Sequence, residues 1–272
     1  MKKVFLIVVL LAGLLTTQLV NAQSVTITPN SSSICAGSGS SVTLTATPVG
    51  PMVTNYQWLN NSSVVIFNGL AYAAISVSPT IVGTYTYTVI VSFFGGGSAT
   101  TTATVTVNPT PTPLVTVDDA SICEGDEATL TSTISGQWYQ NGTLISATNS
   151  TNYLTDEAGS YVVSVTVGGC TGESAGTIVT VNPLPDAGFT PNTLLDECND
   201  GVTPFVANIT GPNYTYQWYR SVNPINGGNP GTEISGATSA SYTPALQNVL
   251  NEESYYYSLT ITNTITGCSS SW

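Results

Sequence analysis

Single polar and apolar residues alternate along most of this chain. Val42, Leu44 and Ala46 are separated by threonines, and Tyr85, Tyr87, Val89 and Val91 by Thr and Ile. A period of two places such residues on one face of a strand. Val25-Thr26-Ile27-Thr28 predicts an opening strand, Tyr56-Gln57-Trp58 another, and Thr101–Val107 a closing one. Gly83-Thr84-Tyr85 opens the long strand, and Gly95-Gly96-Gly97 is a turn. Ser31 to Ser41, rich in Ser and Gly and containing Cys35, is expected to be a loop.

The same series then returns. Val115 to Val117 predicts an edge strand, and Cys123-Glu124-Gly125-Asp126-Glu127 a turn. Ala128, Leu130 and Ser132 share one face of the next strand. Gln137-Trp138-Tyr139-Gln140 runs into Asn141-Gly142, a strong hairpin signal. Asp156 to Tyr161 leads into Tyr161, Val163, Val165 and Val167 on one face, Gly168-Gly169 turns, and Thr177–Val181 finishes. A third series follows through Cys198, Phe205-Val206-Ala207, Tyr216-Gln217-Trp218-Tyr219, the run Tyr255–Ile261, and Gly267-Cys268.

Gln-Trp therefore occurs three times, with tryptophans about 80 residues apart, a domain-sized interval. Trp58, Trp138 and Trp218 are each expected to pin one core, with Tyr85, Tyr161 and Tyr255 beside them. Tyr139 and Tyr219 follow the core Trp and point to the outer face, as solvent-facing residues or as platforms for a sugar. Between the first two repeats, Asn108-Pro109-Thr110-Pro111-Thr112-Pro113 sets three prolines among polar residues, which favours a stiff linker. Val181-Asn182-Pro183-Leu184-Pro185 marks the second boundary in similar words. The expected divisions are 1–22, 23–109, a linker at 110–113, 114–183 and 184–272.

The first of these stands apart from the fold. Lys2 and Lys3 precede an apolar run from Val4 to Leu15, and Val20-Asn21-Ala22 forms a cleavage site, so 1–22 is a signal peptide. No Cys follows the cut, which argues against a lipid anchor, and no other segment would span a membrane as a helix. Cleavage leaves Arg220 as the only basic side chain and takes the formal charge from −12 to about −14. No acidic residue precedes Asp118, so the first repeat is uncharged. Nucleic-acid binding and a grip on anionic lipid both need the missing Lys and Arg.

The order of turn, Leu strand, Trp strand, Asp-x-x-Gly-x-Tyr and last strand resembles the immunoglobulin-like fold. That resemblance implies a Trp packed between sheets and a tyrosine corner. Leu130 and Val163 stand where antibody domains carry their core cysteines. Ser-Ile-Cys-x-Gly at Cys35 and Cys123, Gly-Cys at Cys170 and Cys268, and Val-Asn-Pro at the boundaries resemble the tandem repeats of large Bacteroidetes surface proteins. The resemblance covers nearly the whole mature chain and implies export by the type IX route. The expectation is an all-β chain of three tandem Ig-like β-sandwiches. The third would stop before its last strand, as a fragment of a longer protein.

Five cysteines in an exported chain suggest disulfides, and two schemes stay open. Pairing within repeats joins Cys123 to Cys170 and Cys198 to Cys268, leaving Cys35 free. It must bring together turns at opposite ends of a sandwich, whereas a disulfide tolerates Cα atoms no more than about 7 Å apart. Pairing between neighbours joins Cys35 to Cys170 and Cys123 to Cys268, leaving Cys198. Unpaired thiols are the third alternative.

Asp118, Asp119, Asp126, Asp196 and Asp200 are weak calcium candidates beside a simpler role as solvated charge, and no EF-hand pattern is present. The chain has no His and the mature part no Lys, which removes Ser-His-Asp, Cys-His and Ser-Lys catalysis. No cofactor is implied. The functional expectation is a non-catalytic stalk or adhesin module of a secreted or cell-surface protein, its partner an unknown surface protein or glycan. The alternative is an accessory, carbohydrate-binding region of a large secreted enzyme.

Overall fold

The structure is a computed structural model that describes residues 22–193, 203–225, 230–245 and 254–271. Almost all of the expected signal peptide lies outside these residues, as do Asp196, Cys198 and Asp200. Among the described residues every regular element is a β-strand. The chain divides into two compact units, Met1–Thr110 with Val167–Thr171, and Pro111–Thr166 with Gly172–Trp272.

The first unit contains β1 (Ser24–Thr28), β2 (Ser31–Cys35), β3 (Val42–Val49), β4 (Val53–Leu59), β5 (Val65–Gly69), β6 (Ala74–Val77), β7 (Gly83–Phe93) and β8 (Ser98–Asn108). One sheet has the order β1-β3-β6 and the other β2-β8-β7-β4-β5. Alternation explains the core between them. Val25, Ile27, Val42, Leu44, Ala46, Ile75 and Val77 bury one face, and Trp58, Tyr87, Val89, Val91 and Val105 the other. At about 25 cal/mol per Å² of apolar surface, each fully buried Val or Leu stabilises by about 1.5–3 kcal/mol before entropy is counted.

The Ser31–Ser41 segment corrects an expectation. Its first half is not loop but β2, which pairs in parallel with β8 from Ser31 opposite Thr104 to Cys35 opposite Asn108. Backbone hydrogen bonds hold this edge strand, and only Ile34 of its side chains packs against the core. Three serines in a row therefore leave no apolar alternation to read.

The second unit begins with β9 (Val115–Val117), β10 (Ser121–Cys123), β11 (Ala128–Gln140), β12 (Thr143–Thr155), β13 (Gly159–Val167), β14 (Cys170–Glu173) and β15 (Thr177–Asn182), with the tip of the β13–β14 hairpin assigned to the first unit. The second and third strands expected here are one continuous strand. The first part of β11 pairs with β9 and with the end of β12, while Gln137–Gln140 pairs with β13. Two local features carry the strand across. Ser132 Oγ donates to Ile134 O at 2.7 Å. At Gly136 a Cβ would lie 2.5 Å from Ser164 O, so only glycine fits.

The third core is built by β16 (Phe189–Thr190), β17 (Phe205–Ala207), β18 (Tyr214–Ser221), β19 (Thr232–Glu233), β20 (Ser241–Tyr242), β21 (Tyr256–Asn263) and β22 (Ser269–Ser271). Its sheets are β16-β17-β20 and β19-β18-β21-β22. A three-residue strand, β22, follows Cys268 and pairs with β21 from Thr260 to Thr262, as β14, which begins at Cys170, pairs with β13 in the second repeat.

Three core clusters result, each around one fully buried tryptophan. Trp58 lies opposite Val89, Trp138 opposite Val163 and Trp218 opposite Leu259, so the three occupy one structural position. Tyr161 is fully buried and donates to Glu157 O at 2.8 Å, closing a tyrosine corner. Tyr85 donates to Ile81 O at 2.9 Å in the same i to i−4 manner, yet its ring is only half-buried.

Tyr255 is a correction. It is half-buried, with the Arg220 guanidinium 4.8 Å from its ring centre. Counting back from the residue opposite each Trp, Tyr87 and Tyr257 match Tyr161, and Tyr257 packs on Phe205 at 5.1 Å. The run of three tyrosines hid the register.

Candidate functional site

The cysteines occupy two matching turns. In the first unit, Cys35 ends β2, and its β-partner is Asn108 at the end of β8. Ala36 N donates to Asn108 O at 2.9 Å, Ser38 N to Cys35 O at 3.2 Å, and Thr110 Oγ1 to Ala36 O at 3.0 Å. The hairpin tip Val167–Thr171 completes this unit. Asn108 Nδ2 donates to Gly168 O at 2.8 Å, and Cys170 is bonded to Cys35 with Cα atoms 5.5 Å apart. Gly168 and Gly169 both take positive φ, which brings the hairpin round to present Cys170.

The second turn repeats the pattern within the second unit. Cys123 ends β10 opposite Asn182, Glu124 N donates to Asn182 O at 2.8 Å, and Asp126 N to Cys123 O at 2.9 Å. Cys268 is bonded to Cys123 with Cα atoms again 5.5 Å apart, and Ser270 Oγ donates to Pro185 O. Cys170 and Cys268 are buried, 1% exposed each. The pairings are therefore those between neighbouring repeats. Cys123–Cys170 and Cys198–Cys268 do not form, and Cys198 lies outside the described residues.

The Ser-Ile-Cys and Val-Asn-Pro motifs are thus one site. The asparagine of Val-Asn-Pro is the parallel β-partner of the cysteine in both turns. In sequence Val-Asn-Pro stands as a boundary mark and Ser-Ile-Cys as a cysteine motif before the second strand of a repeat. That both motifs occur together in the first two repeats was the available signal.

Two of the acidic candidates, Asp118 and Asp119, accept bonds from backbone N–H groups. Asp118 Oδ1 accepts from Thr129 N at 2.7 Å and from Asp119 N at 2.8 Å, and Asp119 Oδ1 accepts from Ser121 N at 2.9 Å. These carboxylates close the turn between β9 and β10. Among the described residues no group of three or more His, Cys, Asp or Glu side chains comes together.

The backbone N–H of Thr129, and then that of Asp119, hold the Asp118 carboxyl below its ordinary pKa of 3.8. A lowered folded-state pKa means that this stability is present above the unfolded value and is lost as pH falls through the folded one. Asp118→Ala is therefore expected to lower the melting temperature slightly at pH 7. The gap from the parent should narrow as pH falls below the ordinary carboxyl value of 3.8. Melting curves from pH 7 to pH 2 check this, and a gap independent of pH contradicts it.

Two surface hollows lie among the described residues. One of about 260 Å³ is lined by Arg220, Thr232, Glu233, Ile234, Ser235 and Tyr242. The other, about 250 Å³, is polar, with Ser135, Gly136, Gln137, Asn149, Ser164 and Thr166. Both fall below the usual size of a small-molecule site, about 300–1,000 Å³. Tyr139 and Tyr219 are half-buried on strands β11 and β18.

No protein-family model and no curated protein matches this chain. Solved structures do. The chain is similar to the fibronectin(III)-like modules of CbhA from Clostridium thermocellum, at 16% identity over 58% of this chain and 94% of that one, with a TM-score of 0.34. It is similar to the N-terminal eight Ig domains of Down Syndrome Cell Adhesion Molecule, at 13% identity over 92% of this chain and 36% of that one, TM-score 0.47. It is also similar to part of a 1.5-MDa bacterial ice-binding adhesin, at 14% identity over 92% and 94%, TM-score 0.33. The sheet order of the first unit, the buried Trp58 opposite Val89 of β7 and the tyrosine corner at Tyr161 make this an all-β chain of immunoglobulin-like sandwich architecture.

Proposed function

We propose that the chain is a non-catalytic repeat region of a secreted or cell-surface protein, working as a stalk or adhesive spacer. Three modules, at 23–109, 114–183 and 184–272, are its units. The carrying observation is the pair of disulfides. Each bonds the turn after β2 or β10 of one repeat to the hairpin of the next, which suits an oxidising compartment and a chain that must stay intact outside the cell. The absence of His and the single mature cation support a structural rather than a catalytic role.

The finer reading, a Bacteroidetes protein exported by the type IX route, rests on the repeat motifs. Protease treatment of intact cells tests localisation: the protein should be digested while a cytoplasmic marker survives. A purified mature chain should give no signal on a glycan array above a charge-matched control. Saturable binding to one glycan class would replace the spacer reading with the carbohydrate-binding alternative.

A further inference from the structure

The two disulfides interleave. Cys123 lies inside the loop closed by Cys35 and Cys170, and Cys170 lies inside the loop closed by Cys123 and Cys268. We propose that this connectivity is a mechanical shunt that confines tensile load to the segment between Cys123 and Cys170. For its biological sense this rests on the spacer reading, but the load path follows from the bonds alone.

Tension entering from the N-terminus reaches Cys35 and crosses to Cys170. From there the shortest covalent route runs backwards along the chain to Cys123, then across the second bridge to Cys268. That route holds about 47 residues, against about 233 between Cys35 and Cys268 along the backbone. Residues 36–122 and 171–267 hang off it as side loops. They include β3–β8 with Trp58, and β16–β21 with Trp218. Strands β11, β12 and β13, with Trp138 and the Tyr161 corner, lie on it. The middle repeat would be the loaded element and its neighbours shielded from being drawn out.

An extended chain spans at most about 3.3–3.6 Å per residue. Oxidised, the Cys35–Cys268 region can therefore lengthen to about 160 Å, and fully reduced to about 800 Å, a fivefold change. The bridges thus make extensibility depend on redox state. The single-bridge states lie between. Without Cys35–Cys170 the route is about 88 residues and 300 Å, and without Cys123–Cys268 about 98 residues and 340 Å.

Single-molecule pulling of the mature chain, with peptide handles at both ends and Cys198→Ser throughout, reads these lengths directly. The four states are the parent, Cys35→Ser/Cys170→Ser, Cys123→Ser/Cys268→Ser, and the parent in reductant. The order 160, 300, 340 and 800 Å is expected. Release of about 800 Å from the oxidised parent would overturn the shunt.

A second readout needs no cysteine change. In the oxidised chain Trp138→Phe should alter the force of the main release, while Trp218→Phe leaves it unchanged. The reverse pattern also overturns the proposal. The two readings fail separately: lengths in the expected order beside a positive glycan array leave the load path standing and remove the spacer role.

Discussion

Removing either disulfide is expected to destabilise the chain by up to about 5 kcal/mol, the largest effect of any pairwise change. The bridges close loops with sequence separations of 135 and 145. In the chain-entropy account the gain grows with the logarithm of loop length, so the two should be alike. The figure is a ceiling, reached if the cross-linked repeats unfold together. If each unfolds alone, its folded neighbour shortens the flexible part of the loop and the loss is smaller. Urea melts of Cys35→Ser/Cys170→Ser and Cys123→Ser/Cys268→Ser measure it. Melts unchanged from the oxidised parent would mean that the bridges restrain nothing in the unfolded chain.

The pairing itself is checked first. A protease that cuts before Asp, applied without reductant, should link the peptide ending at Val117 to the one spanning 156–185. It should also link the peptide beginning at Asp119 to the one beginning at Asp200. A free peptide ending at Val117 would contradict the first bridge. Interleaving adds a consequence: any single backbone cut between Cys35 and Cys268 leaves the chain covalently whole. A nick in the Pro-rich linker would not separate the pieces until they are reduced.

How much of this was legible follows from what each residue depends on. Leu44, Leu130 and the three tryptophans were readable because their burial follows from alternation alone, a property of one strand. The strand β2 was not, since it is held by backbone hydrogen bonds to β8 and carries serines. The passage of β11 across Gly136 was not readable either. It depends on how closely Ser164 O approaches, a contact between residues distant in sequence. Cysteine spacing allowed two pairings, and geometry could only object to one. What decides between them in the structure is where Gly168 and Gly169 aim the β13–β14 hairpin. Tyr255 shows the opposite failure. Three adjacent tyrosines satisfy the pattern at two positions, and only pairing with β18 shows that Tyr257 takes the core side.

Truncating a core tryptophan comes next in size. Trp58→Ala, Trp138→Ala and Trp218→Ala should each cost about 3–5 kcal/mol, since each side chain is fully buried and the loss includes the cavity left behind. Trp218 should lie at the upper end. Phe189, Phe205 and Tyr242 pack on it with ring centres 5.0, 5.9 and 5.9 Å away, and all three lose a neighbour.

The phenylalanine variants separate packing from hydrogen bonding. Trp58 Nε1 donates to Tyr72 O at 2.7 Å, and Trp218 Nε1 to Ser239 O at 2.9 Å. Tyr72 and Ser239 are exposed residues, so phenylalanine at either position loses one net hydrogen bond, about 0.5–1.5 kcal/mol. Trp138 Nε1 is buried with no partner among the described residues, so Trp138→Phe removes an unsatisfied donor instead. Trp138→Phe should therefore cost less than Trp58→Phe or Trp218→Phe by about 1 kcal/mol or more. Urea melts followed by the fluorescence of the remaining tryptophans give both numbers. They also show whether the repeats unfold separately, because a lesion at Trp58 confined to its own repeat leaves the signals of Trp138 and Trp218 unshifted. Equal costs for the three phenylalanine variants would mean that the indole N–H of Trp138 has a partner after all, or that the bonds to Tyr72 and Ser239 contribute nothing.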